Sequence, residues 1–395
     1  MESFELSLDT LRGRRGAKWN RFPSTVVPAW VADMDFTVAA PVQRAIERLV
    51  ADGDYGYPLR AGADTVPAAF ADRMRERYGW AVDPADVQTV TECVQCMFAA
   101  VLAFSRPGDG VVIQTPIYPP FLNTVAKTER RLVENPLRDD GSRYVLDVEG
   151  LRRVIDDRTR VMMVCNPHNP TGRVFTRDEL LALGHAAVEH DLLIVCDEIH
   201  ADLIFPGSEH IPMATLGPEI AARTITITSA TKGFNIAGLR CAVMHFGSPE
   251  LRERFRQVVP DSVMGQASVA GVDATVAAWR EGQPWLDRVM ARLEANRDRL
   301  ARFVATELPG VQFYPPEATY LAWLDCRDLH LAGSPFEFFL EHGVGLNDGA
   351  TFGAPGVTCV RLNFATCEEV LDEVLGRMAA AVKEHAGAKP VAAAQ

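Results

Sequence analysis

The chain of 395 residues is almost half apolar, and its 52 acidic side chains outnumber 40 basic ones, which gives a formal net charge of −12. A chain of this length exceeds the size at which one hydrophobic core usually stops growing, so we expect more than one domain. The acidic balance argues against a nucleic-acid partner, because phosphate backbones are bound by basic surfaces. The N-terminus has no apolar signal segment, and no stretch is apolar enough to cross a bilayer. We therefore predict a cytoplasmic protein that does not contact a membrane.

The eight cysteines fit a reducing compartment. Half of them lie in or beside apolar runs, where a free thiol behaves as a small buried hydrophobic group: Cys165, Cys196, Cys241 and Cys359. Cys93 and Cys96 have C-x-x-C spacing, but a structural zinc site would need a second pair of ligands at similar spacing. We therefore predict no metal site, with a zinc or redox pair as the minor alternative.

Short apolar runs alternate with helical patterns through the first two thirds of the chain. Five runs have the length and composition of buried strands, at 110–115, 160–166, 191–198, 223–229 and 239–246. The helical pattern that follows residue 175 opens with Thr176 and Glu179 in capping-box spacing. This alternation predicts an α/β fold with a mostly parallel sheet between helices, and ligands beyond the carboxyl ends of the strands.

The pattern changes after a long amphipathic segment at 282–308, where shorter strands follow near 319–326 and 356–365. We predict a large domain at 46–284 and a smaller C-terminal domain at 285–395, to which the N-terminal segment 1–45 contributes. The tail at 386–395 is small and polar, and we expect it to be disordered.

Three predicted strand ends carry polar residues. Asp197 follows five apolar residues, so its carboxylate needs a cationic partner or serves as a helix N-cap. The turn CNPHNPTG at 165–172 is typical of a left-handed or cis-proline turn, and it would hold the amide of Asn169 at the same sheet edge. Lys232 follows the alternating strand TITIT in a small polar turn. It is either a solvated side chain or a reactive amine.

These segments carry a resemblance to a known family. NPHNPTG, DEIHADL and SATKGFNIAGLR, in this order, resemble the core of the fold-type I pyridoxal 5′-phosphate (PLP) enzymes, the aspartate aminotransferase superfamily. PAWVADMDF, YGYP and QTPIYPPF resemble more narrowly the MalY-like and PatB-like carbon–sulfur lyases, the cystathionine β-lyase-like enzymes. The resemblance covers residues 4–380. It implies PLP as the cofactor, bound to a large domain whose mostly parallel sheet is sandwiched by helices, with a smaller α/β C-terminal domain.

The resemblance also implies roles for residues at the cofactor. Lys232 corresponds to the Schiff-base lysine, Asp197 to the carboxylate that pairs with the protonated pyridine nitrogen, and Asn169 to the donor to the ring's phenolic oxygen. The remaining implied cofactor contacts are His200, Tyr118, Ser229, Thr231, Arg240 and the backbone of Cys93 and Val94. A histidine at position 200, where aminotransferases usually carry tyrosine, is a feature of the lyase branch. A structural histidine and a core aromatic remain the simpler interpretations of His200 and Tyr118.

Substrate and subunit contacts follow from the same resemblance. Arg361 corresponds to the residue that binds the substrate's α-carboxylate, with a surface salt bridge as the alternative, and the backbone of Ala32 and Asp33 is expected to close over that carboxylate. Tyr57 corresponds to a tyrosine that reaches the phosphate of the neighbouring subunit. A homodimer with a shared active site is therefore expected.

Two segments depart from the family pattern. A proline-glycine or glycine-rich step that cradles the phosphate is replaced by Glu92-Cys93-Val94-Gln95. A carboxylate there is awkward beside a phosphate unless Glu92 points away, and the amide of Gln95 could compensate. Asn347 and Asp348 stand where relatives often have small or serine-proline residues, which predicts an altered substrate preference.

The predicted reaction is α,β-elimination from an S-substituted L-cysteine, such as cystathionine, cystine or a bulkier S-conjugate, to a thiol, pyruvate and ammonia. Lys232 would remove the α-proton. An aminotransferase of class I/II is the alternative on the same scaffold, because fold alone does not settle function. A specialised PLP enzyme of secondary metabolism and a regulatory protein that binds a transcription factor also remain open. The intact set of Lys232, Asp197 and Arg361 argues against a purely regulatory role.

Overall fold

The computed structural model describes residues 4–60 and 62–388. The strands are β1 Val27–Pro28, β2 Val87–Val90, β3 Gly110–Ile113, β4 Arg131–Glu134, β5 Arg138–Asp139, β6 Tyr144–Val145, β7 Thr159–Cys165, β8 Leu193–Asp197, β9 Thr224–Thr228, β10 Ala242–Phe246, β11 Gln312–Phe313, β12 Leu321–Asp325, β13 Val344–Gly345, β14 Asn347–Asp348 and β15 Cys359–Asn363. The helices are α1 Leu8–Arg12, α2 Ala17–Asn20, α3 Ala40–Asp52, α4 Val66–Tyr78, α5 Cys93–Phe104, α6 Pro119–Lys127, α7 Val148–Val154, α8 Arg177–Glu189, α9 Pro218–Ala221, α10 Ala230–Gly233, α11 Pro249–Val258, α12 Asp261–Met264, α13 Val269–Glu281, α14 Gln283–Glu307, α15 Pro335–Glu341 and α16 Glu368–Ala388. None of these described helices is long and apolar enough to span a membrane.

A seven-stranded sheet organises the larger part of the chain, in the order β2-β10-β9-β8-β7-β3-β4. The pairs from β9 to β4 are parallel, whereas β10 is antiparallel to both of its neighbours. Each of the five predicted strands is present with ends shifted by at most a few residues. The prediction of an α/β fold with a mostly parallel sheet is confirmed.

Side chains alternate between the two faces of this sheet, as the period of a strand requires. Val111 and Ile113 pack with α5, α6 and α11, whereas Val112 packs on the other face with α7 and α8. The central strands β7, β8 and β9 are buried on both faces. Their carboxyl ends are therefore held by packing from both sides, which makes them a rigid base for functional side chains.

A second, four-stranded antiparallel sheet has the order β11-β12-β15-β14. It packs in one apolar cluster with the long helices α14 and α16. The N-terminal segment joins this part of the chain, because β1 pairs in parallel with β13. The proposed domain boundaries near residues 45 and 285 stay a prediction.

Local signals in the sequence are also present in the structure. Thr176 and Glu179 form the reciprocal capping box of α8. The bonds Asn166–Pro167 and Asn169–Pro170 are both cis, and Gly172 has a φ of 70°. The tail differs from its prediction, because residues 386–388 continue α16. The rest of the tail, 389–395, lies outside the described residues.

Candidate active site

The carboxyl ends of β7, β8 and β9 open into a cleft of about 290 Å³. Every predicted site residue except Tyr57 and Asp33 lines this cleft. Residues far apart in the sequence meet here, from Trp30 near the N-terminus to Arg361 on β15. The structure thus brings these predicted residues together beyond the strand ends, and their roles in binding a ligand stay a prediction.

Lys232 lies in the short helix α10, directly after β9. Ser229 caps that helix by accepting a hydrogen bond from Thr231 N–H. The Lys232 ammonium donates to the carbonyl oxygen of Ala32 at 2.8 Å, and it forms no ion pair with any described carboxylate. Burial lowers its pKa, with Arg361 acting in the same direction and Asp33 opposing. The amine is therefore easier to deprotonate than a solvated lysine.

Asp197 ends β8 with its side chain buried in the cleft wall. Its carboxylate accepts one hydrogen bond, from Ile199 N–H at 3.0 Å, and pairs with no cation among the described residues. Burial raises the pKa of Asp197 to about 7. The next residue, Glu198, is occupied with His210 at 3.1 Å. Of these two adjacent carboxylates, only Asp197 lacks a charged or ionisable partner within the described part of the chain. A cationic group of a ligand in the cleft would supply that partner.

Arg361 is 3% exposed on β15, so the alternative of a surface salt bridge is wrong. Its guanidinium donates to Asn169 Oδ1 at 2.9 Å, to Asn347 Oδ1 at 2.6 Å and to Trp30 O at 3.3 Å. It also lies 5.0 Å from the ring centroid of Phe352. No described carboxylate neutralises this charge, and burial lowers the pKa of Arg361 to about 10. A buried arginine with only neutral partners is suited to an anionic ligand.

Two asparagines hold the segment 30–36 against the cleft. Asn363 donates to the carbonyl oxygens of Val31 and Asp33 at 2.6 and 2.7 Å. Asn235 accepts from Met34 N–H at 2.9 Å and donates to Met34 O at 3.0 Å. Through these bonds the carbonyl of Ala32 stays in contact with Lys232.

His200 and Tyr118 both line the cleft. Burial lowers the pKa of His200 to about 3, and its Nδ1 has no hydrogen-bond partner within the described residues. His200 is therefore neutral at physiological pH. Tyr118 precedes α6, and its backbone N–H donates to Asn169 O at 3.1 Å. This bond ties the aromatic ring to the turn that carries Asn169.

The end of the cleft near α5 differs from expectation. Glu92 does not point away, because it lines the cleft and accepts a hydrogen bond from Arg240. Gln95 does not compensate, because its amide donates to Val263 O at 3.2 Å, outside the cleft. The hydroxyl of Ser229 donates to Cys241 O at 2.5 Å. Cys93 and Val94 begin α5 at the cleft wall.

Two predicted residues lie apart from the cleft lining. Tyr57 is 88% exposed, in a surface depression that it shares with Leu59. The backbone carbonyl of Asp33 accepts from Lys18 at 3.2 Å, while its carboxylate influences the pKa of Lys232. Asp33 thus borders the site rather than lining it.

Several contributors are absent from the sequence-based set. Tyr320 donates to the same Ala32 carbonyl as Lys232, at 2.9 Å. Asn235 follows Lys232 by three residues and Asn363 follows Arg361 by two. Both are amides beside a predicted site residue, which is the signal that could have identified them. Trp30 and Cys165 also line the cleft, without any polar pattern that marks them in the sequence.

Comparison with known proteins identifies the family of this chain. The family described as "Aminotransferase class I and II" matches residues 32–378. The chain belongs to this family. The cystathionine β-lyase PatB of Bacillus subtilis is 34% identical over 380 residues, which cover 94% of this chain and 97% of that protein.

Solved structures of other family members are similar over almost the whole chain. A putative PLP-dependent β-cystathionase from Corynebacterium diphtheriae is 35% identical with a TM-score of 0.90, covering 97% of this chain and 99% of that one. The PLP-bound C–S lyase from Staphylococcus hominis is 30% identical with a TM-score of 0.90 and the same coverage. The family fold is thus shared in full.

We expect Asn363→Ala to destabilise the protein by about 2–3 kcal/mol, because two part-buried carbonyls each lose one hydrogen bond and Ala365 N–H loses its acceptor. Asn20→Ala is the matched control. Asn20 also donates to two backbone carbonyls, at Arg14 and Gly16, but on an exposed surface. Urea unfolding of the three proteins measures the difference. Equal losses in both variants would show that Asn363 does not clamp the segment.

Asp197→Asn tests the buried carboxylate through pH. A raised folded-state pKa means that Asp197 contributes stability at low pH that is lost as pH rises through about 7. In ligand-free protein, Asp197→Asn should therefore exceed the wild type in stability at pH 8 by roughly 2–4 kcal/mol, with the gap closing toward pH 4. Urea titrations across this range provide the measurement. A gap that does not depend on pH would contradict the assigned burial effect.

Proposed function

We propose that this protein is a PLP-dependent carbon–sulfur β-lyase, which cleaves S-substituted L-cysteines to a thiol, pyruvate and ammonia. One observation carries the proposal: the half-buried Lys232 and the buried Asp197 and Arg361 surround a single cleft, and none of them forms an ion pair within the described residues. Unpaired buried charges are costly, so they mark a place where ligands supply the missing partners.

The residues of the cleft fit PLP. The buried carboxylate of Asp197 suits a protonated pyridine nitrogen, and the amine of Lys232 lies on the same cleft for the cofactor's aldehyde. The first turn of α5 offers backbone N–H groups to a phosphate. When bound, PLP supplies an electron sink for the negative charge that develops at the carbon losing its proton. The relatives from Corynebacterium diphtheriae and Staphylococcus hominis, which are PLP-dependent and PLP-bound, support this cofactor.

The chain's own residues then divide the work on the substrate. Arg361 binds the α-carboxylate, with its planar guanidinium held in place by Asn169 and Asn347. Lys232, whose pKa burial lowers, takes the proton from the α-carbon. The electron pair of that C–H bond expels the sulfur from the β-carbon as a thiolate. Water replaces the amino group in the remaining three-carbon unit, which leaves as pyruvate with ammonia.

Cleavage at sulfur is favoured over amino transfer by the relatives. The B. subtilis protein is named a cystathionine β-lyase and the S. hominis protein a C–S lyase, at 34% and 30% identity. His200, with its pKa lowered to about 3, does not compete with Lys232 as a charged acid. We infer that an S-substituted cysteine is the substrate class.

We also propose a homodimer that shares its active sites. Tyr57 and Leu59 are 88% and 89% exposed and lie in one surface depression, and adjoining exposed apolar side chains are typical of a surface that a partner covers. The position of Tyr57 outside its own cleft agrees with a role in the partner's site. The eight free cysteines support a cytoplasmic location, where thiols stay reduced.

The lyase activity is tested with purified protein, PLP and L-cystathionine, L-cystine or an S-alkyl cysteine. We expect pyruvate and thiol in equal amounts, and their loss in Lys232→Ala. The absorption spectrum of the cofactor, measured in parallel, distinguishes a lyase from an aminotransferase. Conversion to pyridoxamine phosphate without thiol release would mean an aminotransferase, and the lyase proposal would be wrong.

Mixed dimers test the shared site. Lys232→Ala and Tyr57→Ala are each expected to be poorly active, but a mixture that exchanges subunits should recover up to about one quarter of wild-type activity, because some dimers then contain one intact site. Sedimentation gives the oligomeric state of each variant. If the dimers exchange subunits but no lyase activity is recovered, Tyr57 does not act in the partner's site.

A further inference from the structure

One ion pair stands where the sequence departs from the family pattern. Glu92 follows β2 and Arg240 precedes β10, two antiparallel neighbours in which Val90 pairs with Ala242. Each residue is two positions from that pair, so the sheet itself brings the two side chains together. Arg240 Nη1 donates to Glu92 Oε2, and both residues line the cleft.

Glu92 does not serve its own helix. It occupies the N-cap position of α5, yet its side chain caps none of the helix N–H groups. A carboxylate at this position would ordinarily accept from the first turn or interact with the helix dipole. Its side chain instead reaches Arg240. The first-turn N–H groups of Cys93 and Val94 thus have no cap from Glu92, and Arg240 is already paired with the Glu92 carboxylate.

The electrostatic consequence concerns any phosphate bound at this end of the cleft. Arg240 and Glu92 together carry no net charge, whereas Arg240 alone would present a full positive charge to a dianion. The two side chains are 62% and 46% exposed, so water and salt weaken their attraction and the pair can open. A phosphate that takes Arg240 must either displace the carboxylate or share the guanidinium with it.

We propose that Glu92 is an intramolecular competitor of the cofactor phosphate for Arg240, and that it sets how tightly the chain retains PLP. This inference rests on the proposed function, because it places the PLP phosphate between α5 and Arg240. Glu92 does not take part in the chemistry. It makes the phosphate site weaker than the same site with a neutral residue, so the cofactor exchanges faster.

Glu92→Gln is the decisive variant. Glutamine keeps the length and an oxygen that accepts from Arg240, but removes the charge that repels phosphate. We expect this variant to bind PLP about 3- to 10-fold more tightly than the wild type, because one partly screened negative charge is removed. The difference in affinity should decrease when the salt concentration rises from about 0.05 to about 0.5 M, because salt screens that charge. Pyridoxal, which has no phosphate, should bind equally to both proteins. Fluorescence or absorbance titration of cofactor-free protein measures the dissociation constants without reference to turnover.

Asp191→Asn is the matched control for net charge. Asp191 is an exposed carboxylate that also pairs with an arginine, Arg223, but at the opposite ends of the strands. Its φ of 49° is one that asparagine adopts readily. We expect no change in the affinity for PLP or pyridoxal in this variant.

A double-mutant cycle separates competition from a structural role. Arg240→Gln should weaken PLP binding, and in that background Glu92→Gln should lose most of its effect. Equal PLP affinity of the wild type and Glu92→Gln would overturn the inference, and so would an equal gain for pyridoxal. Failure of the wild type to bind PLP through Lys232 would instead overturn the proposed function, so the two failures are distinguishable.

Discussion

Burial of unpaired charge is the constraint on which this site depends. Asp197 and Arg361 are buried and Lys232 is half-buried, and no carboxylate or cation of the described chain neutralises them. Such an arrangement costs free energy in any cofactor-free form of the protein, and a rigid surrounding structure maintains it. The sheet, buried on both faces at β7, β8 and β9, supplies that rigidity. The unpaired charges thus lower the folding stability at the cleft, and we expect a bound ligand to supply the opposite charges.

The same constraint explains why the site draws on distant parts of the chain. Strand ends alone offer Asp197 and Lys232, but the carbonyl that contacts Lys232 comes from Ala32, and the guanidinium comes from β15. Asn235 and Asn363 connect these parts through backbone hydrogen bonds. Neutral amides suit this task, because they fix geometry without adding charge to a site whose electrostatics are reserved for ligands.

Sequence patterns predicted the fold and three residues of the cleft, because strand periodicity and turn residues are local signals; the other predicted cleft residues followed from the resemblance to the PLP enzymes. Lys232, Asp197 and Asn169 were identifiable since each follows a strand or lies in a marked turn. Contacts that arise from packing were not predictable. Tyr320 and Trp30 reach the site only through tertiary folding, and Gln95 donates to the Val263 carbonyl of α12 instead of lining the cleft. The pairing of Glu92 with Arg240 depends on the register of β2 and β10, which no single segment encodes.

The bonds from Asn363 to Val31 and Asp33 span 332 and 330 residues of sequence. On the ribosome, the segment around Trp30 emerges early, but its partners on β15 are made almost at the end of synthesis. At ordinary elongation rates of about 5–20 residues per second, that wait lasts roughly 20–60 s. The wall of the cleft therefore closes only once translation is nearly complete. Cofactor loading is in consequence a step of the finished polypeptide, and a prematurely terminated chain would lack a complete pocket to fill.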